Sequence, residues 1–164
     1  MSELLLENKK LTFLIDQNQI TLSHQAKINH FIFNEYEIVD GMICNMTKVA
    51  LEIHSYLKEN KLLSCPAVAL IKKNLLTEFL VAENELQSDL LNSAQIKLCI
   101  AKNKFYVAKI HPSILLQYQI LFLKTGVYLE EITGYDFVNL KKALQDNEDV
   151  FMNVKSVDEI YLAI

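Results

Sequence analysis

Three strand-like segments open the chain with nothing between them long enough to be a helix, and this constrains the fold more than any other feature. Residues 11–15 (LTFLI) and 20–22 are short apolar or β-branched runs. They are separated by Asp16-Gln17-Asn18-Gln19, whose Asp and Asn supply turn chemistry, so the pair reads as a hairpin. A third strand is predicted over 26–33, with Ile28, His30 and Ile32 on one face and Asn29, Phe31 and Phe33 on the other. Strands joined this closely run antiparallel. Neither face of the third is wholly polar, so the sheet is expected to be covered on both sides.

After the turn at Asp40-Gly41 the period changes. From Thr47, the expected N-cap, Val49, Ala50, Ile53, Tyr56 and Leu57 recur at helical spacing. A strand is predicted over 67–71. Residues 75–81 fit either a helix or a strand, with strand favoured through 79–81. Residues 83–91 read as a short helix. Segments 96–101 and 105–110 flank Lys102-Asn103-Lys104 as a second hairpin. Pro112 suits a first helical turn, the run 114–123 is nearly apolar all round, and Gly126 supplies a left-handed stop. A strand over 127–132 and a helix over 137–144, capped by Asp136, follow. The tail 150–164 reads as a strand and one helical turn. No repeat of 20–50 residues is present.

Composition narrows the function. The 164 residues are 51% hydrophobic and 22% charged, which is a globular balance of about one domain. The formal charge is −4, and all sixteen basic residues are lysine. Arginine is the side chain best suited to bidentate contacts with guanine or phosphate, so its absence weighs against nucleic acid. Cys44, Cys65 and Cys99 are odd in number and widely spaced, so each is expected to be a small core hydrophobe rather than half of a disulfide. The acidic start Met1-Ser2-Glu3 and the short Leu4–Leu6 run do not make a signal peptide. The longest stretch free of charge, 110–123, is too short for the roughly 20 residues of a spanning helix. A cytoplasmic protein is expected.

Catalytic patterns are missing. Three glycines (Gly41, Gly126, Gly134) cannot build a phosphate loop or a nucleophile elbow. The histidines His24, His30, His54 and His111 have no ligand-spaced partners. His24 and His30 could share a strand face, which falls short of a metal's ligand set, and His111 before Pro112 reads as a capping residue. Glu130-Glu131 is expected to be a solvated strand edge. No metal and no cofactor is predicted.

The order of elements is informative. An opening hairpin and third strand lead to Val39-Asp40-Gly41-Met42-Ile43; then come a helix, the strand 67–71, the strand 105–110, a helix ending at Gly126, another strand and another helix. This resembles the first half of PilM-type proteins, the actin-like, FtsA-related cytoplasmic components of type IV pilus assembly. The resemblance covers residues 11–145 and rests on the V-D-G-x-I stretch and on element order. It implies an α+β fold: a partial actin-like (ribonuclease H-like) lobe formed by 1–40 and 111–164, with a strand–helix–strand–strand module inserted at 41–110.

The sequence departs from the family in two places. The family's first phosphate loop is a D-x-G-[ST] turn between the opening strands. Here it is degenerate: Asp16 is kept, and Asn18 stands where glycine lets backbone N–H groups approach a nucleotide. The chain also ends before a second nucleotide-binding lobe. The resemblance therefore implies a non-enzymatic cytoplasmic adaptor for pilus, competence or type II secretion assembly. Its partner would be the cytoplasmic tail of a single-span inner-membrane protein, held in a groove between subdomains, so that contact with the membrane is only indirect. Asp40, Gly41, Met42 and Ile43, at the junction, are the expected groove wall. A reading of another class is a small acidic secretion chaperone, which would require an obligate dimer and a large exposed apolar patch.

Overall fold

The structure, a computed structural model, describes residues 10–85, 95–146 and 148–164. Its main sheet has five strands in the order β3-β2-β1-β6-β10. Strands β1 (Leu11–Ile15), β2 (Gln19–His24) and β3 (Lys27–Ile32) form the expected antiparallel meander. β6 (Pro66–Ile71) and β10 (Tyr128–Gly134) then add parallel to β1.

Alternation sets the faces. Leu11, Phe13, Ile15, Ile20, Leu22, Ala67, Ala69 and Ile71 all point to one side and are buried. Two helices cover them. Helix α1 (Met46–Glu59) contributes Val49, Ile53 and Leu57, and α2 (Pro112–Thr125) contributes Tyr118, Leu121 and Phe122. The cap of α1 is Asn45, whose side chain accepts from the Lys48 N–H, and not Thr47. α2 begins and ends as expected: His111 Nδ1 accepts from the Ser113 N–H, and Gly126 has φ +87°. The second face of the sheet differs from expectation, because Ile28, His30 and Ile32 on β3 are exposed.

A short hairpin, β4 (Ile38–Val39) with β5 (Met42–Ile43), leads into α1. A separate three-stranded antiparallel sheet, ordered β7-β9-β8, is built from β7 (Thr77–Ala82), β8 (Gln95–Ala101) and β9 (Lys104–Lys109). It packs a second core with α3 (Tyr135–Asp146), a 3-10 turn (Glu148–Phe151) and α4 (Val157–Ala163), using Ile100, Tyr106, Leu140, Phe151, Val154 and Ile160.

The sheets therefore divide the chain elsewhere than at 41 and 110. β6 inserts between β1 and β10, and α1 packs on the same core, so 41–71 belong with the main sheet; the inserted sheet begins after β6. Residues 148–164, expected with the main sheet, pack on the inserted one and contain no strand. Helix α3 starts directly from β10, which puts Asp136 in its first turn and not at its cap. The helix expected over 83–91 is a 3-10 turn at Glu83–Glu85, and the rest of that range lies outside the described residues. Cys65 is buried, whereas Cys44 and Cys99 are exposed. No described helix is long and apolar enough to cross a membrane.

Candidate functional site

The parallel strands β1, β6 and β10 end side by side, and their carboxyl ends are where sheets of this kind hold ligands. Asp16 follows β1, Lys72 follows β6 and Asp136 follows β10. The Asp16–Gln19 turn, expected from the resemblance to be a degenerate phosphate loop, is bound up with the chain's own groups. Asp16 Oδ1 accepts from the Gln17 N–H at 2.7 Å and from Asn74 Nδ2 at 2.7 Å, while Lys72 Nζ lies 3.5 Å from Oδ2. Partial burial works to raise the Asp16 carboxyl. The Asn74 and Gln17 hydrogen bonds and the Lys72 ammonium outweigh it and hold the group below its ordinary 3.8. Asn18 turns away, its amide donating to the Phe33 carbonyl at 3.4 Å.

The Asp40–Ile43 segment adjoins this turn. Asp40 (φ +48°) and Gly41 (φ +80°) form the two-residue corner of the β4–β5 hairpin, and the Gly41 N–H donates to the Gln17 carbonyl at 2.7 Å. Leu75, at the entry to the inserted sheet, packs so close that a Cβ on Gly41 would stand 2.7 Å from its Cδ2. The segment thus lies at the junction. Asp40 and Met42 are exposed there, but Ile43 is only 6% exposed and belongs to the main core. Gln117 of α2 clamps Ile43's backbone, accepting from its N–H at 2.9 Å and donating to its carbonyl at 3.1 Å. As a groove wall, Ile43 is corrected: it is a core residue.

A cleft of about 520 Å³ opens between the inserted sheet and the helices behind it. One wall is a continuous stretch of β8 and its turn, Leu98 to Lys102. The other is Lys141, Leu144 and Gln145 of α3, with Asp149 and Met152 beyond. β8 is an edge strand, and among the described residues no strand pairs with its outer side. The sequence named Cys99 only as a core hydrophobe and Lys102 only as part of a turn, and none of these residues as a binding residue. Met152 is exposed.

The histidines do not converge. His24 closes β2 and is buried under Tyr56, whereas His30 lies on β3 and is exposed. Among the described residues no group of three or more His, Cys, Asp or Glu side chains could hold a metal ion. Glu130 is exposed, as expected of a solvated strand edge, and pairs with Lys10 at 3.2 Å.

No family model matches the chain, and no curated protein matches it in sequence. Among solved structures, the chain is similar to one from a PilM-PilN type IV pilus biogenesis complex, with a TM-score of 0.61 and 12% identity over 84% of this chain. It spans about half of that protein, 50% of its length. Two looser likenesses are to the cytoplasmic domain of EpsL, an inner-membrane component of the Vibrio cholerae type II secretion system, and to a Bacteroides thetaiotaomicron protein of unknown function with an actin-like ATPase fold. The first has a TM-score of 0.48 at 12% identity, covering 76% of this chain and 56% of that one. The second has a TM-score of 0.39 at 13% identity, covering 88% and 60%. The chain thus has an α+β fold similar to that of a chain in the PilM-PilN complex.

Proposed function

We propose that this chain is a non-enzymatic adaptor that holds the extended cytoplasmic tail of an inner-membrane pilus or secretion protein. The observation that carries the reading is the likeness to a chain of the PilM-PilN complex, which covers 84% of this chain. The proposed seat is the cleft between β8 and α3. Its strand wall suits an extended segment, which can add to an edge by main-chain hydrogen bonds while its side chains enter alternate pockets. Lys102 and Lys141 at the rim favour a tail with acidic or carboxylate groups, and Leu98, Leu144 and Met152 offer apolar contact.

Co-purification from native membranes, followed by titration of the recovered tail peptide, tests this. Micromolar binding is expected, about −8 kcal/mol, because ordering a flexible tail offsets part of the contact energy. Met152→Asp puts a charge on an exposed apolar contact and should weaken binding at least tenfold, about 1.4 kcal/mol, with the melting temperature unchanged. Unaltered affinity in both Met152→Asp and Lys141→Glu would remove the cleft as the seat. Recovery of a soluble effector and no membrane protein would point to the chaperone reading.

A further inference from the structure

We propose that β3 is a self-association edge: two copies of this chain pair their β3 strands antiparallel about a twofold axis at His30. The β2–β3 turn is two residues, Gln25 and Ala26, both with positive φ, so His24 and Lys27 form its closing hydrogen-bonded pair. Alternation then turns the backbone groups of Lys27, Asn29, Phe31 and Phe33 toward β2, and the Phe33 N–H indeed donates to the Asn18 carbonyl at 2.9 Å. The N–H and C=O groups of Ile28, His30 and Ile32 point out of the sheet, and among the described residues no strand pairs with them. These same residues carry exposed side chains, with Ile28 at 64% and Ile32 at 68%.

Protein edges are usually protected by charge, bulges or covering segments. The opposite edge of this sheet follows that rule, since β10 carries Glu130, Glu131 and a bulge between Leu129 and Glu131. β3 has one charge, Lys27, at its first position. Its central outer residue is instead held in place: Gln19 Nε2 and Thr21 Oγ1 lie 2.9 and 3.0 Å from His30 Nδ1.

The occupant is a second copy because the edge is complementary to itself. With His30 opposite His30, Ile28 faces Ile32 of the second copy and Ile32 faces Ile28. All three outward-facing residues then find hydrogen-bonding partners, and apolar pairs flank the axis. Sliding the register by two residues either way leaves one of them unpaired. The two Lys27 side chains lie at opposite ends of the ladder, about 20 Å apart at roughly 3.4 Å per residue, beyond the screening length of about 10 Å.

Sedimentation velocity of the full chain over a range of concentrations should show a reversible monomer–dimer equilibrium. The double variant Ile28→Lys, Ile32→Lys should be monomeric with an unchanged circular dichroism spectrum. The register is tested in a background where the exposed Cys44 and Cys99 are serine. There His30→Cys should cross-link to itself on oxidation, since such pairs sit about 5.5 Å apart between Cα atoms. Ile28→Cys should not, its copies being about 14 Å apart. A wild-type chain that stays monomeric at all concentrations overturns the proposal. So does a dimer that survives the double lysine variant, or one in which Ile28→Cys cross-links in place of His30→Cys. A monomer whose Ile28, His30 and Ile32 amide resonances shift on adding the tail peptide would also overturn it, giving the edge to an extended partner segment instead.

Discussion

Gly41 meets two demands at one position: a backbone at φ +80° and a close approach by Leu75. An L-residue pays about 1–2 kcal/mol for the left-handed conformation, and the Leu75 side chain would have to move as well. Gly41→Ala should therefore lower unfolding stability by about 1–2 kcal/mol in urea titrations. Asp136 yields a prediction with a sign. Burial raises its carboxyl above the ordinary 3.8, although Lys73 and Lys72 pull the other way. The folded state thus holds this proton more tightly than the unfolded one. That stabilising contribution is complete below about pH 3.8 and is lost as pH rises through the raised value. Asp136→Asn should then melt higher than wild type at neutral pH, and the difference should vanish in acid. Asp16 runs opposite, its contribution being present at neutral pH and lost on acidification. Residue roles set by local chemistry, such as the His111 cap and the Gly126 stop, were legible in the sequence. Roles set by distant neighbours were not: Ile43 is buried because Gln117, 74 positions away, clamps it into the core.

Each element with a clean period was legible, which is why the opening meander, the second hairpin and α2 lie where periodicity puts them. The placement of β6 was not, since parallel pairing to β1 across α1 leaves no mark in a local pattern. The C-terminal elements were opaque for a related reason: α4 is seven residues long and is held by contacts made far back in the chain. Glu78 of β7 accepts hydrogen bonds from the hydroxyls of Tyr106 on β9, at 2.6 Å, and Tyr161 on α4. Burial, together with these bonds to Glu78, raises both phenols. Lys73 stands over the Tyr161 ring at 4.5 Å. Glu78 is thus the point at which the last helix is fastened to the inserted sheet. Glu78→Ala would strand the buried Tyr106 hydroxyl and release Tyr161, at a cost of about 2–3 kcal/mol. Amide exchange over 157–163 should accelerate in that variant before it does in the main sheet. Glu78→Gln keeps an acceptor and should cost less.

Across the whole molecule, the two sheets meet where the main sheet's parallel strands end, and there the Asp16–Gln19 turn sits. In this chain that place is closed from within. Lys72 and Asn74 come from the segment that links β6 to the inserted sheet, so the same connection that joins the two sheets also occupies Asp16. The neighbouring hairpin adds a second tie, from the Gly41 N–H to the Gln17 carbonyl. A nucleotide phosphate would have to break these contacts and would then meet a turn in which Asn18 replaces the glycine that exposes backbone N–H groups. The expected outcome is that Mg-ATP leaves the melting temperature unchanged and is not hydrolysed. Asp16→Ala should lower the melting temperature by unfastening Lys72 and Asn74, without making it respond to nucleotide. A thermal shift with Mg-ATP in the wild-type chain, lost in Asp16→Ala, would show instead that Lys72 and Asn74 give way to phosphate, and that Asp16 belongs to a working nucleotide site.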